Sequence, residues 1–303
     1  MLAWVLSSLL IAAAVVVAYA VFVERRWFRL SRYRLDILPA GGSPLTVLHL
    51  SDLHLVRGDR SKRRFLSSLP RADVTAVTGD VLGEPEAVES AAEALRPLRG
   101  RMASLFVLGS NDLFAPRPLN PLRYFVPNRR RQRVVGRRGR GPDLVRLLEQ
   151  DGWVHLKNRK YERQSNGLRL EVVGLDDPHI HRSDLRVASR TEPHAFGLAV
   201  VHSPDPAPEL AALGYDLVVA GHTHGGQVRL PVVGALVTNS SMPTKLARGL
   251  ARLGRSYLHV SPGLGTSKYA PFRLFCRPEA TMLELRPAPP SGQPATTRSN
   301  TAS

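Results

Sequence analysis

The sequence predicts an α/β protein, a four-layer α/β/β/α sandwich behind one N-terminal transmembrane helix. Three observations predict it. Residues 2–23 are apolar apart from Ser7, Ser8 and Tyr19. From Leu45 onward, short apolar runs alternate with helical stretches, the pattern of an open sheet that binds ligands beyond the C-terminal ends of its strands. The second half is richer in strands than the first, which implies a second sheet packed on the first with helices outside both.

The N-terminal segment comes first. At about 1.5 Å per residue, its roughly 22 residues span about 33 Å, the thickness of a bilayer core. A secretory signal is the rival reading, because Ala18-Tyr19-Ala20 resembles a cleavage site. The opening MLAW nevertheless lacks the basic region such signals carry, and residues 1–24 are expected to be a single-pass anchor in the cell membrane. Arg25, Arg26, Arg29, Arg32 and Arg34 follow it, with Trp27 and Tyr33 as interfacial aromatics. Residues 25–44 therefore read as a basic juxtamembrane linker, and the positive-inside rule puts this flank and the domain behind it in the cytoplasm.

Residues 45–286 read as one domain. Strands are expected at 44–50, 74–78 and 104–108, with helices at 61–69 and 84–98 between them. Pro85 suits the first turn of the second helix. Further strands are expected at 168–175, 196–202, 216–221, 226–231, 256–261 and 281–286, with a helix at 206–214. Residues 115–142 form an insertion with five prolines and, within 129–140, seven arginines. The Pro/Ser/Thr-rich tail 287–303 reads as disordered.

Composition narrows the function. The single cysteine, Cys276, excludes an intramolecular disulfide and a thiolate zinc cluster. With 42 basic residues against 25 acidic ones, the net charge is +17. That suits a phosphate-bearing substrate, anionic lipid or nucleic acid. No aromatic-interleaved basic face or nucleic-acid motif accompanies the charge, so no specific nucleic-acid partner is expected.

Candidate ligands recur at strand ends. Asp52 and His54 follow the first strand of the domain, Asp80 the second, Asn111 and Asp112 the third; His202 follows a later strand, and His222 and His224 another. Residues two apart in extended backbone share a face, so Asp52 with His54, and His222 with His224, are expected to aim at one object. A lone Asp or His at such a place usually caps a helix or faces solvent. Five strand ends carrying only oxygen and imidazole ligands point instead to a metal centre. Gly221, Gly225 and Gly226 let the backbone turn tightly around the histidine pair.

DLH, GD, GSND, a lone His and GHTH, in that order, resemble the motifs of the calcineurin-like metallophosphoesterase superfamily over residues 45–286. GHTHGGQ, GLDDP (174–178) and CRPE (276–279) are similar to its membrane-anchored bacterial branch. The resemblance implies two divalent ions, one held by Asp52, His54, Asp80 and His224, the other by Asp80, Asn111, His202 and His222, with Asp80 bridging. Such an oxygen–nitrogen set suits Mn²⁺, Fe or Zn²⁺ alike. It implies two-metal hydrolysis of a phosphomonoester, phosphodiester or pyrophosphate, with water activated for in-line attack on phosphorus.

One motif departs from the family. Its usual Gly-Asn-His-Asp is here Gly109-Ser110-Asn111-Asp112. Without a gap, Ser110 takes the ligand position and Asn111 that of the leaving-group histidine. With a one-residue slip, Asn111 stays a ligand and Asp112 replaces the histidine. The slip is preferred, because a neutral hydroxyl is a poor ligand for a hard cation. His179 and His181, in DDPHIH, are further candidates for assisting the leaving group, against the plain reading of surface histidines, and His179 is the preferred one. The anchor and the arginine-rich insertion suggest a lipid-linked or membrane-proximal phosphoester. The competing reading is a metal-containing phospholipid- or phosphate-ligand-binding protein with little turnover, supported only by the GSND departure.

Overall fold

A computed structural model describes residues 1–115, 137–165, 167–266, 268–289 and 296–299. Helix α1 (Leu2–Ala18) continues through a wide turn at Tyr19–Val23 and a tight one at Glu24–Arg26. Leu2–Arg26 is the one helix among the described residues long and apolar enough to cross a membrane.

The strands form two large sheets. The first contains β1 (Arg29–Leu38), β2 (Leu45–Leu50), β3 (Val74–Thr78), β4 (Ala103–Val107), β5 (Val154–His155), β14 (Glu279–Pro287) and β15 (Thr296–Ser299), in the order β15-β1-β14-β2-β3-β4-β5. The second contains β6 (Arg159–Ser165), β7 (Leu168–Gly174), β8 (Phe196–Val200), β9 (Leu217–Ala220), β12 (Gly249–Leu253) and β13 (Ser256–Val260), in the order β12-β13-β9-β8-β7-β6. A small hairpin, β10 (Arg229–Leu230) and β11 (Gly234–Ala235), stands apart from both. The helices are α2 (Arg60–Ser67), α3 (Val88–Leu95), the single turn α4 (Ser110–Leu113), α5 (Gly141–Gln150) and α6 (Ala207–Ala212).

Strand pleat sorts the apolar residues into three layers. Val47, Leu105, Val172, Leu198 and Leu217 meet between the sheets. Their neighbours Leu48 and Phe106 face the other way, onto Leu66, Ala91 and Leu148 of α2, α3 and α5. Val173 and Val218 point outward from the second sheet onto Ala207 and Leu210 of α6. Alternation along each strand thus yields three apolar seams and four layers, the expected sandwich.

Four expectations differ from the structure. The stretch 25–44 is more than a linker, because β1 runs parallel to β14 at the first sheet's edge. Its arginines face acids there: Arg29 Nη2 lies 2.5 Å from Glu279 Oε2, and Arg34 Nε lies 2.9 Å from Glu284 Oε2. Tyr33, Leu35 and Leu38 are buried beneath, so a row of cross-strand pairs reads in sequence as a basic flank. The strand expected at 226–231 shrinks to β10, because Gly226 and Gln227 have φ of 83° and 57° and break the extension. The 84–98 helix is regular only over α3, with tight turns at Pro85–Ala87 and Arg96–Leu98. In the tail, β14 extends to Pro287 and β15 pairs antiparallel with β1; residues 290–295 and 300–303 lie outside the described residues. So do 116–136, which hold most of the arginine-rich insertion, including Arg129, Arg130 and Arg131, while α5 begins at the insertion's end.

Candidate metal centre

Seven residues expected as ligands converge where β2, β3, β4, β8 and β9 end. They do not converge by the pleat. Asp52, His54, Asp80, His222 and His224 all have positive φ, between 40° and 68°. Left-handed conformations of non-glycine residues cost of order 1–3 kcal/mol each and persist only where the surroundings over-determine them. Each strand therefore curls at its tip and turns its ligand inward, where extended backbone would have run past the site. Gly221, just before His222, has no room for a side chain: a Cβ there would overlap Ser51 Oγ and Asp52 Oδ2.

Asp80 is at the middle of the group. Its Oδ2 lies 3.6 Å from His54 Nε2, and its Oδ1 lies 3.7 Å from His202 Nε2. On the His54 side, His224 Nε2 is 3.3 Å from His54 Nε2 and 3.7 Å from Asp52 Oδ1. On the His202 side, His222 Nδ1 is 3.2 Å from His202 Nε2. Asn111 donates to Asp80 from its backbone N–H at 2.8 Å and from its side-chain amide at 2.5 Å. Two overlapping sets, Asp52/His54/His224 and Asp52/Asp80/His202, can each hold an ion.

A layer of hydrogen bonds aims these ligands. His202 Nδ1 donates to the Thr78 carbonyl at 2.7 Å, which turns Nε2 to the site. Asp52 Oδ2 accepts from Ser51 Oγ at 2.5 Å and from the His222 N–H at 2.9 Å. Its other oxygen, Oδ1, is buried without a partner. Lys62 Nζ, also buried, donates to the carbonyls of Leu53 (2.7 Å) and His54 (3.3 Å) and braces the first ligand loop from below.

Electrostatics favour a cation here. Burial opposes charge on His202, but Asp80, Asp177 and Asp52 outweigh it and raise its pKa to about 9. Burial likewise works against the Asp80 carboxylate, yet His202, His54 and Asn111 hold it below the usual carboxylate range. Burial lowers His54 to about 4 and takes His222 and His224 well below the normal imidazole value. The neutral imidazoles of His54, His222 and His224, the buried carboxylates that draw positive charge onto His202, and an orphaned Asp52 oxygen fit divalent metal ions.

The two leaving-group candidates separate. Asp112 is fully buried, and its oxygens accept from the backbone N–H of Leu82 (2.8 Å) and Gly109 (3.0 Å). It clamps the loop from behind and is not placed to protonate a leaving oxygen, which corrects the slipped reading of GSND for this residue. Asn111 does reach Asp80. His179 is exposed and lies against His222, with ring centroids 4.4 Å apart and planes tilted by 45°, at the rim of the group.

Sequence reasoning missed Asp177, Lys62 and Arg273. Asp177 is buried, with Oδ1 accepting from the His179 N–H at 2.8 Å and Oδ2 without a partner. Burial raises its pKa to about 6. The doubled Asp of GLDDP at a strand end was the available signal. Arg273 is fully buried; its Nη2 donates to the carbonyls of Pro262 (2.7 Å) and Gly265 (2.6 Å), in the loop against Asp52 and His54. Nothing in sequence separates Lys62 and Arg273 from the many surface basic residues.

A two-sheet sandwich with an Asp/His/Asn centre at its strand tips defines a metallohydrolase. The family model for calcineurin-like phosphoesterases matches residues 45–226, more than half of the chain. The phosphodiesterase YaeI of Escherichia coli strain K12 is 28% identical over 273 residues, covering 88% of this chain and 92% of that protein. An uncharacterized metallophosphoesterase, YkuE of Bacillus subtilis strain 168, is 23% identical and covers 88% and 89%. A transmembrane protein with a metallophosphoesterase domain from Bos taurus is 28% identical, covering 83% of this chain and 55% of that protein. Among solved structures, the phosphopantetheinyl hydrolase PptH of Mycobacterium tuberculosis superposes with a TM-score of 0.43 at 13% identity, covering 78% of this chain and 96% of that one. The chain belongs to the calcineurin-like phosphoesterase family and is a phosphoric ester hydrolase.

Proposed function

We propose that this is a membrane-anchored, dinuclear phosphodiesterase acting on a lipid-linked or membrane-proximal substrate. The observation that carries the reading is Asp80, whose two oxygens face separate histidine groups at 3.6 and 3.7 Å. Asp52, His54, Asp80 and His224 would hold one ion, and Asp80, Asn111, His202 and His222 the other. Divalent cations there would supply Lewis acidity at the phosphoryl oxygen and a water acidic enough to serve as nucleophile near neutral pH.

The protein's own contribution is placement. Thr78 fixes the His202 tautomer and Ser51 fixes the Asp52 carboxylate. Asn111 steadies Asp80 through two donors. His179, at the mouth beside His222, is the group that would donate a proton to the departing oxygen. The diester preference follows the E. coli relative, a phosphodiesterase. Membrane attachment follows Leu2–Arg26 and the transmembrane character of the bovine relative. Arg25 and Arg26 then favour a cytoplasmic domain. A phosphate-ligand-binding role with little turnover is the second reading, favoured by the histidine-free Gly109–Asp112 run.

The test is release of p-nitrophenol from bis(p-nitrophenyl) phosphate by the full chain with and without Mn²⁺, alongside metal analysis. Metal-dependent release that Asp80→Asn abolishes supports the hydrolase. Bound metal with release no greater than that of Asp80→Asn would leave the binding role.

A further inference from the structure

We infer that the β10–β11 hairpin is a second membrane contact, one that rests the rim of the metal centre on the lipid surface. The inference depends on the anchored reading above and adds a surface to it. The hairpin presents Leu230, Val232, Val233 and Leu236 to solvent, with Val232 fully exposed at 107%. Phe272 and Phe275, on the neighbouring loop, are exposed as well. Contiguous apolar surface of this kind marks an interaction site. Val232 also has φ of 68°, a conformation that β-branched residues rarely adopt. Among the described residues, no side chain covers Val232 to offset that strain.

The occupant is identified by continuity with the N-terminal helix. Arg229 N–H donates to the Leu274 carbonyl at 2.9 Å, and Leu274 N–H donates to the Gln227 carbonyl at 3.0 Å, so the hairpin base and the 272–275 loop are joined. The same loop is fastened to the end of the helix. Arg273 N–H donates to the Ala20 carbonyl at 3.1 Å, and Phe275 N–H donates to Glu24 Oε2 at 2.9 Å. Glu24 is itself buried in that junction. Hairpin, loop and helix end thus form one patch, and a bilayer holding the helix lies beside the other two. Exposed aliphatic and aromatic side chains with Arg229 at the base suit a lipid interface.

The hairpin is also an outgrowth of the metal centre. It leaves from His224 and returns at Asn239, whose carbonyl lies 3.3 Å from His222 Nε2. Arg229 Nη1 donates to the Gly225 carbonyl at 2.9 Å and ties its base to the ligand loop. A hairpin resting in lipid therefore sets the catalytic mouth at headgroup level.

The experiment uses the full chain in phosphatidylcholine/phosphatidylglycerol vesicles, with nitroxide labels at Val232→Cys, at Val17→Cys in α1 and at Arg255→Cys on the exposed β12–β13 turn. Cys276 is buried. Power saturation compares access of oxygen with that of a water-soluble nickel complex. The inference requires Val17 and Val232 to favour oxygen while Arg255 favours nickel. Val17 in lipid with Val232 in water overturns the hairpin contact alone; both in water overturns the anchor too. Spin–spin broadening at Val232 without lipid contact overturns it in favour of a second copy of the chain. As a second arm, Val232→Asp with Val233→Asp lowers turnover of a vesicle-borne phosphodiester by about tenfold, as expected when apolar anchors become carboxylates. Bis(p-nitrophenyl) phosphate turnover stays at the parent level. Equal loss on both substrates, or on neither, overturns the inference.

Discussion

Gly221→Ala tests whether the site depends on a backbone position that only glycine fits. The new methyl group would overlap Ser51 Oγ and Asp52 Oδ2, and would meet Ser51 Cβ at 2.9 Å. Ordinary contact begins at 3.4 Å, so Asp52 must yield by about an ångström, and it is fully buried with nowhere open to move. Moving it also breaks the Ser51 Oγ and His222 N–H bonds to Oδ2, at 2.5 and 2.9 Å. Overpacking a tight interior costs about 1–3 kcal/mol, or a Tm lower by roughly 2–12 °C for a domain of this size. The functional loss should be larger in proportion, since a 1 Å misplacement of a catalytic group costs about 10²-fold. Three measurements suffice: bound metal, Tm, and kcat/KM on bis(p-nitrophenyl) phosphate with Mn²⁺. The expected result is a folded protein with reduced metal content and kcat/KM down about 10²-fold. Parent-like metal content and activity would show that the Asp52 loop is soft, and would refute the claim that these strand tips are over-determined.

Three further outcomes are expected. His179→Ala lowers kcat by about 10²-fold or more while sparing metal content, with a smaller loss for a substrate whose leaving group needs no proton; an equal loss on both would remove His179 from that step. Asp112→Asn lowers Tm, because an amide accepts through one oxygen and cannot serve both the Leu82 and Gly109 N–H groups, but it leaves the pH–rate profile in place; a lost acidic or basic limb would make Asp112 a proton donor after all. Stability falls with pH through the buried pair His49 and His259, whose Nδ1 atoms lie 2.8 Å apart. Burial holds His259 at about 4 and His49 well below its normal value, so both are neutral when folded and take up protons on unfolding below about pH 6.5. The unfolded chain then binds more protons, and stability drops from about pH 6.5 to 4, by roughly 3 kcal/mol for His259 alone. His259→Met should flatten the slope of Tm against pH over that interval, and an unchanged slope would exclude the pair as its source.

What the sequence made legible, and what it hid, follows from how each residue acts. The strands of the sandwich were legible because burial on both faces leaves unbroken apolar runs, as in VTAVT and LVVA of β3 and β9. The candidate ligands were legible because metal chemistry admits few residue types, and those types recur at strand ends. The geometry that unites them was not. An extended Asp52-Leu53-His54 would put both side chains on one face, and the structure instead turns both residues left-handed. Strain of that kind is held by the surroundings, here by Ser51, Lys62 and the Arg273-braced loop, and it has no signature in the strained residues themselves. Nor did β1 announce itself, since Arg29, Arg32 and Arg34 owe their place to Glu279 and Glu284, some 250 positions away in the chain. The same long-range pairing gives Glu24 its meaning. Beside an apolar span it reads as the first charge outside a membrane. Folded, it is buried against the N–H groups of Phe275 and Cys276, and the Cys276 thiol lies 3.4 Å from the carbonyl of the candidate ligand His224. One acidic side chain thus joins the end of the N-terminal helix to the histidine loop of the candidate metal centre. The position of that centre relative to the N-terminal helix is accordingly set by packed contacts rather than by the length of a linker.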